Sequence, residues 1–144
     1  MLKTVLALGL TAALALTAAT TPAAAVDNAA GTYKMDRSHS SLVWRVSHIG
    51  LSFYTARFNT FDATLEIDPE NPTGAKLAVT VDPTSLKTGY PFAAKKDFDK
   101  KLITDARFFN ANEHPEIKFV STGLEMTGDK TAKVTGDLTL LGVT

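Results

Sequence analysis

From Leu42 onward the chain repeatedly alternates apolar and polar residues with a period of two. That period sends successive side chains to opposite faces of extended backbone, the pattern of half-buried antiparallel strands. Leu42, Trp44, Val46 and His48 share one face of a first strand, with Val43, Arg45 and Ser47 on the other. Phe58 and Phe61 lead into Ala63, Leu65 and Ile67, set against Asp62, Thr64 and Glu66. The three-residue step between the two phenylalanines breaks the alternation and predicts a bulge or bend. Asp68-Pro69-Glu70-Asn71-Pro72-Thr73-Gly74 is dense turn chemistry. Leu77, Val79 and Val81 then alternate with Lys76, Ala78 and Thr80 until Asp82-Pro83 stops the strand. Ile117 and Phe119 predict a short strand after Pro115, and Val134, Gly136, Leu138 and Leu140 another after the Gly128-Asp129-Lys130 turn.

Residues 92–111 differ. Phe92, Phe98, Leu102, Ile103, Phe108 and Phe109 recur among Lys and Asp at irregular, roughly helical spacing, which predicts short helical turns across a strand-to-strand connection. Many short strands with little helix define an all-β barrel or sandwich. The 144 residues suit a single domain. With 15 Lys and Arg against 15 Asp and Glu, nothing in the charge balance favours nucleic acid as a partner. The absence of Cys excludes a disulfide, a thiolate metal site, a cysteine nucleophile and a lipidated N-terminal Cys.

Residues 1–25 have the layout of a secretory leader. Lys3 is the sole charge before Asp27, an apolar run from Val5 to Leu16 follows, and Ala23-Ala24-Ala25 supplies the small residues of a cleavage site. Spanning a bilayer takes about 20 apolar residues, more than this run contains, so stable membrane insertion is not expected. Cleavage after Ala25 is expected, with a site near Ala30 the alternative, followed by a short linker over 26–32. The product is then expected in the periplasm.

Catalytic and metal signatures are missing. There is no G-x-S-x-G, H-E-x-x-H or Gly-rich phosphate loop. His39 falls in an Asp-Arg-Ser-His-Ser turn and reads as structural, His114 precedes Pro115 and reads as an exposed loop residue, and His48 ends an apolar strand face. Three scattered histidines without paired spacing do not make a metal site. Asp97 and Asp99 among Lys95, Lys96, Lys100 and Lys101 read as a solvated charged face, with enough positive charge to attract an anionic head group or lipid surface. No enzyme, cofactor or metal is expected.

The motifs, taken in order, resemble the YceI-like family of exported polyisoprenoid-binding proteins. Tyr33-Lys34-Met35-Asp36 with His39-Ser40 is similar to its opening, and the aromatic strand ending in His48 and the Phe58-to-Phe61 step follow. Ser85-Leu86-Lys87-Thr88, Asp97, and Asp105-Ala106-Arg107-Phe108-Phe109-Asn110 continue the match. His114-Pro115-Glu116-Ile117-Lys118-Phe119-Val120-Ser121-Thr122 is similar to the family's P-x-I-x-F-x-S-T strand, and Gly136-Asp137-Leu138-Thr139 through Gly142-Val143-Thr144 to its G-x-L-T-x-x-G-V-T motif. Each motif alone is weak; their order and spacing over 33–144 are specific.

The resemblance implies an extended, lipocalin-like antiparallel β-barrel over 33–144 whose tunnel holds an isoprenoid-tailed lipid, a quinone or polyprenyl phosphate, for carriage or sequestration. It also implies an incomplete barrel, because the family continues past G-V-T into closing strands and this sequence stops at Thr144. An open edge of that kind invites association, and a homodimer stays open. The tunnel-wall candidates are Leu42, Trp44, Val46, His48, Phe58, Leu65, Ile67, Leu77, Val79, Val81, Phe108, Ile117, Phe119, Leu138 and Leu140. His48 would donate to a carbonyl or phosphate at the tunnel mouth. Plain core packing is the competing reading for each apolar member. It leads to the alternative function, a structural or stress-related interaction protein with a solid barrel and no lipid.

Overall fold

Two antiparallel sheets face each other in the computed structural model, which describes residues 29–144. The expected leader over 1–25, its cleavage after Ala25 and the first residues of the linker lie outside the described residues. The strands are β1 (Gly31–Lys34), β2 (Leu42–His48), β3 (Ser52–Phe58), β4 (Phe61–Ile67), β5 (Lys76–Val81), β6 (Leu86–Lys87), β7 (Ile117–Gly128) and β8 (Thr131–Thr139). The larger sheet runs β1-β4-β5-β7-β8 and the smaller β2-β3-β6. Over the described residues the two sheets do not join into a closed cylinder.

The period of two sets the faces as the sequence demands. In β4 and β5 every apolar residue of the alternating set is at least half-buried while Asp62, Thr64, Glu66, Lys76 and Thr80 are exposed. Phe61 pairs with Val81, Ala63 with Val79 and Leu65 with Leu77 across the ladder. In the smaller sheet Leu42 lies opposite Phe58, Trp44 opposite Ala56 and Val46 opposite Tyr54, which puts these six side chains on its inner face.

The Phe58-to-Phe61 step is neither a bulge nor a bend within one strand. It is the corner where the chain leaves the smaller sheet at β3 and enters the larger at β4. Ser85 latches that corner: its hydroxyl accepts from the Thr60 N–H at 2.9 Å, and its carbonyl accepts from Asn59 N–H at 3.2 Å. Ser85 is itself held by the 3₁₀ turn Pro83–Ser85, where the Asp82 carboxylate accepts from the Thr84 N–H at 2.8 Å. Other boundaries also differ from expectation. Gly31 and Thr32, read as linker, pair with Ile67 and Glu66 as β1. The short strand at Ile117 runs on to Gly128, because Ser121, Gly123 and Leu124 keep pairing with β8 through a register shift.

Of the expected helical turns one extends into a helix, α1 (Phe98–Thr104), whose N-cap is Asp97 accepting from Lys100 N–H at 2.9 Å. Hydrogen-bonded turns after Phe92 and Asp105 flank it. Leu102 of α1 joins Ala56, Phe58, Val81 and Leu86 in the buried core, with Leu86 fully enclosed. Asp99 is not the solvated charge expected. Its carboxylate accepts from the buried Thr88 backbone N–H at 3.0 Å and hydroxyl at 2.5 Å, with Lys87 Nζ at 3.6 Å. A helix of seven residues has little stability alone, so this tie to β6 and the burial of Leu102 hold it in place.

Candidate functional site

Trp44 stands between two apolar hollows. The first lies between the sheets and has a volume of about 370 Å³. Leu42, Trp44 and Phe58 line it from the smaller sheet, and Val79, Val81, Ile117, Phe119, Leu138 and the stem of Lys118 from the larger. The second, of about 600 Å³, lies beyond Trp44 toward α1. Its lining is Trp44, Val46, Ser47, His48 and Tyr54 from β2 and β3, Phe98 and Leu102 from α1, Phe108 and Phe109 after it, and Tyr90 and Leu140.

Aromatic residues packed against one another, some edge to face and some tilted, build the walls of this space. Phe109 meets Phe58 at 5.3 Å and Trp44 at 5.9 Å between ring centroids, both near-perpendicular. On the far wall Phe98 meets Tyr54 at 6.2 Å and Tyr90 at 5.4 Å. The Tyr54 hydroxyl donates to the Thr88 carbonyl at 3.0 Å, so its polar end is tied back into the wall. The Trp44 indole N–H is buried with no hydrogen-bond partner among the described residues, which leaves that ring positioned by packing alone.

Of the fifteen wall residues read from the sequence, twelve line one hollow or the other. Leu42, Phe58, Val79, Val81, Ile117, Phe119 and Leu138 border the first, Val46, His48, Phe108 and Leu140 the second, and Trp44 both. Leu65, Ile67 and Leu77 do not. They share the inner face but sit toward the far end of β4 and β5, where Leu65 pairs with Leu77 and with Tyr33 of β1, away from the helix and the smaller sheet. Alternation reports the face of a strand and is silent on position along it. Phe58 and Val81 are core as well as wall, each only 6% exposed.

Tyr54, Tyr90, Phe98, Leu102 and Phe109 border the second hollow without having been placed in the expected wall. For Phe98, Leu102 and Phe109 the signal was the irregular, roughly helical apolar spacing over 92–111, which does not tell which way the segment folds. Tyr54 reaches the hollow as the cross-strand partner of Val46. Phe92 stays 55% exposed, stacked edge-on against Tyr90 at 5.8 Å. His48 is exposed at the end of β2, beside the mouth of the second hollow. His114, read as exposed, is half-buried, and its ring packs so closely over Gly142 that a Cβ there would lie 3.0 Å from it. His39 is held in its turn by Asp36, whose carboxylate accepts from Ser38 and contacts His39 Nδ1 at 2.6 Å. Hydrogen bonds from the Ser38 hydroxyl first, then from His39, keep the Asp36 carboxyl below its ordinary pKa. Among the described residues no three His, Asp or Glu side chains are grouped to hold a metal ion.

Two antiparallel sheets around an apolar interior, with one helical connection, define a lipocalin-like β-barrel class. The chain belongs to the YceI-like domain family, whose model matches residues 33–144. It is 41% identical over 117 residues to a UPF0312 protein of Pseudomonas putida strain W619, and 39% identical to one of Pseudomonas syringae pv. tomato. Each alignment covers 80% of this chain, and the chain spans 58% of the length of these curated relatives. Among solved structures it is similar to Burkholderia cenocepacia BcnA, with a TM-score of 0.64 at 25% identity, covering 74% of this chain and 63% of that one. It is also similar to the Campylobacter jejuni YceI protein, with a TM-score of 0.55 at 27% identity over 77% of this chain and 61% of that one.

Proposed function

We propose that this protein is an exported carrier or store for an isoprenoid-tailed lipid, a quinone or polyprenyl phosphate, which it holds without chemical change. The observation that carries the reading is the second hollow: about 600 Å³ walled by aromatic and aliphatic side chains, with His48 as the polar side chain at one end. Small-ligand sites occupy about 300–1,000 Å³ and combine an apolar lining with a few polar groups, as here. A prenyl tail gains roughly 0.8 kcal/mol per buried CH₂. Two isoprene units then contribute about 8 kcal/mol before several kcal/mol of ordering cost, sufficient for retention with no catalytic group.

In this reading the tail runs past Tyr54, Phe98 and Phe109 toward Trp44, and the first hollow extends its path between the sheets. The head group stays beside His48. The leader-like residues 1–25 support export to the periplasm, where such lipids must cross water between membranes. Extraction of the purified protein into a non-polar solvent, followed by mass spectrometry, tests the assignment. A prenyl lipid recovered in near-stoichiometric amount supports it, and well-folded protein yielding none contradicts it.

A further inference from the structure

We infer that the β2–β3 hairpin tip docks the protein onto a phospholipid bilayer, entering the headgroup layer with Ile49, Leu51 and Phe53. Ile49, 80% exposed, and Leu51, 88% exposed, sit in the turn between His48 and Ser52, and Phe53, 63% exposed, follows as the second residue of β3. The turn is tight: the Leu51 N–H donates to the His48 carbonyl at 3.1 Å, with Ile49 at φ 56° and Gly50 at φ 72°. A β-branched residue in the left-handed region is strained, and glycine or asparagine would sit there more comfortably. The turn Leu141–Gly142 has the same left-handed pair, yet Leu141 is half-buried, so its apolar side chain is accounted for by packing. At Ile49 neither conformation nor burial accounts for the side chain.

A bilayer does account for it. The two most exposed of these apolar groups, Ile49 and Leu51, are at a tip rather than along a strand edge, so they fit insertion between lipid head groups better than strand addition by another chain. Positive charge accompanies them: the Arg45 guanidinium lies 4.7 Å from the centre of the Phe53 ring, placed to meet lipid phosphates as the ring enters. Ser47 and His48, the residues leading into the tip, also border the second hollow. Docking through this hairpin therefore sets the mouth of the hollow at the membrane surface, where a prenyl tail passes between bilayer and protein without crossing water. The inference deepens the lipid-carrier reading and rests on it for its purpose, while the docking itself is separately measurable.

The test is co-sedimentation with vesicles of phosphatidylethanolamine and phosphatidylglycerol, comparing the protein with an Ile49→Asn, Leu51→Ser double variant that has the same N-terminus. Asparagine tolerates the left-handed turn, so the variant should unfold at a temperature no lower than the parent. Its vesicle affinity should fall by about tenfold or more, since two nearly bare aliphatic side chains are removed. Arg45→Gln should weaken binding to the anionic vesicles and leave binding to neutral phosphatidylcholine vesicles unchanged. Failure of the parent to sediment, or equal sedimentation of the double variant, overturns the inference. So does a dimer of the parent that the double variant dissolves, which would assign the tip to a second copy. If hairpin-dependent vesicle binding persists while no prenyl lipid is extracted, docking stands and the carrier reading falls.

Discussion

The ring of Phe119 lies directly on the backbone of Gly136: a Cβ at position 136 would fall 2.4 Å from Phe119 Cζ and 2.5 Å from the Val120 carbonyl oxygen. Only glycine allows β7 and β8 to pair with that ring folded across the ladder, and Phe119 in turn walls the hollow between the sheets. Gly136→Ala must therefore push the ring off its seat. The expected loss is about 1–3 kcal/mol, as for an overpacked core, read as a lowered midpoint in denaturant with an unchanged slope.

Val79 lies opposite Phe119 in the larger sheet and borders the same hollow. Val79→Trp places a bulky ring in that space. If the hollow is part of the tail's path, the variant folds and releases its lipid, measured as a fall in extractable prenyl lipid per chain. A marked drop in thermal stability with lipid content unchanged would instead assign the site to solid core.

Phe108 and Leu86 separate wall from core. Phe108 borders the second hollow at 38% exposure, whereas Leu86 is at 0%. Leu86→Ala should cost about 2–5 kcal/mol, the range for a buried leucine. Phe108→Ala should cost about 1 kcal/mol or less, because a partly solvated ring leaves no sealed cavity, while weakening lipid retention. Paired unfolding and extraction measurements check both.

The tie between Asp99 and Thr88 gives a pH dependence. Burial pushes the Asp99 carboxyl up, but hydrogen bonds from the Thr88 hydroxyl and N–H, with the Lys87 charge, outweigh it and hold the group below its ordinary value of 3.8. A carboxylate lowered by folding stabilises in full above its unfolded pKa and loses that contribution as pH falls through the folded value. The stability that Asp99 supplies is therefore constant near neutrality and lost below about pH 3.8. Asp99→Asn should destabilise the protein at pH 7 by about 1–3 kcal/mol, with the difference from the parent shrinking below pH 3.8.

What the sequence disclosed follows from the physics of each signal. The alternation in Phe61–Ile67 and Lys76–Val81 is strict, and it identified both strands and their buried faces. It also put Leu42, Trp44 and Val46 on one face, and that face borders the two hollows, Leu42 the first, Val46 the second and Trp44 both. Leu65, Ile67 and Leu77 obey the same pattern and still fall outside the hollows, since position along a strand is set by which elements cover it. The two-residue strand β6 carries too few residues to show a period. Asp99 was misread because its partner Thr88 is eleven residues away, joined to it by a helix cap and a turn that only the fold brings together. Ile49 and Leu51 carry no strand or helix signal at all, and their exposure appears only once the hairpin is built.

The protein has one tryptophan, and Trp44 is the residue that both hollows share. Titration with a short-tailed ubiquinone while following its fluorescence tests the central claim most directly, because a quinone ring or tail beside the indole quenches it. The account predicts saturable quenching that ends at one quinone per chain and is reversed by an excess of an unlabelled prenyl alcohol. Emission that declines only as free tryptophan does, without saturation or competition, contradicts it.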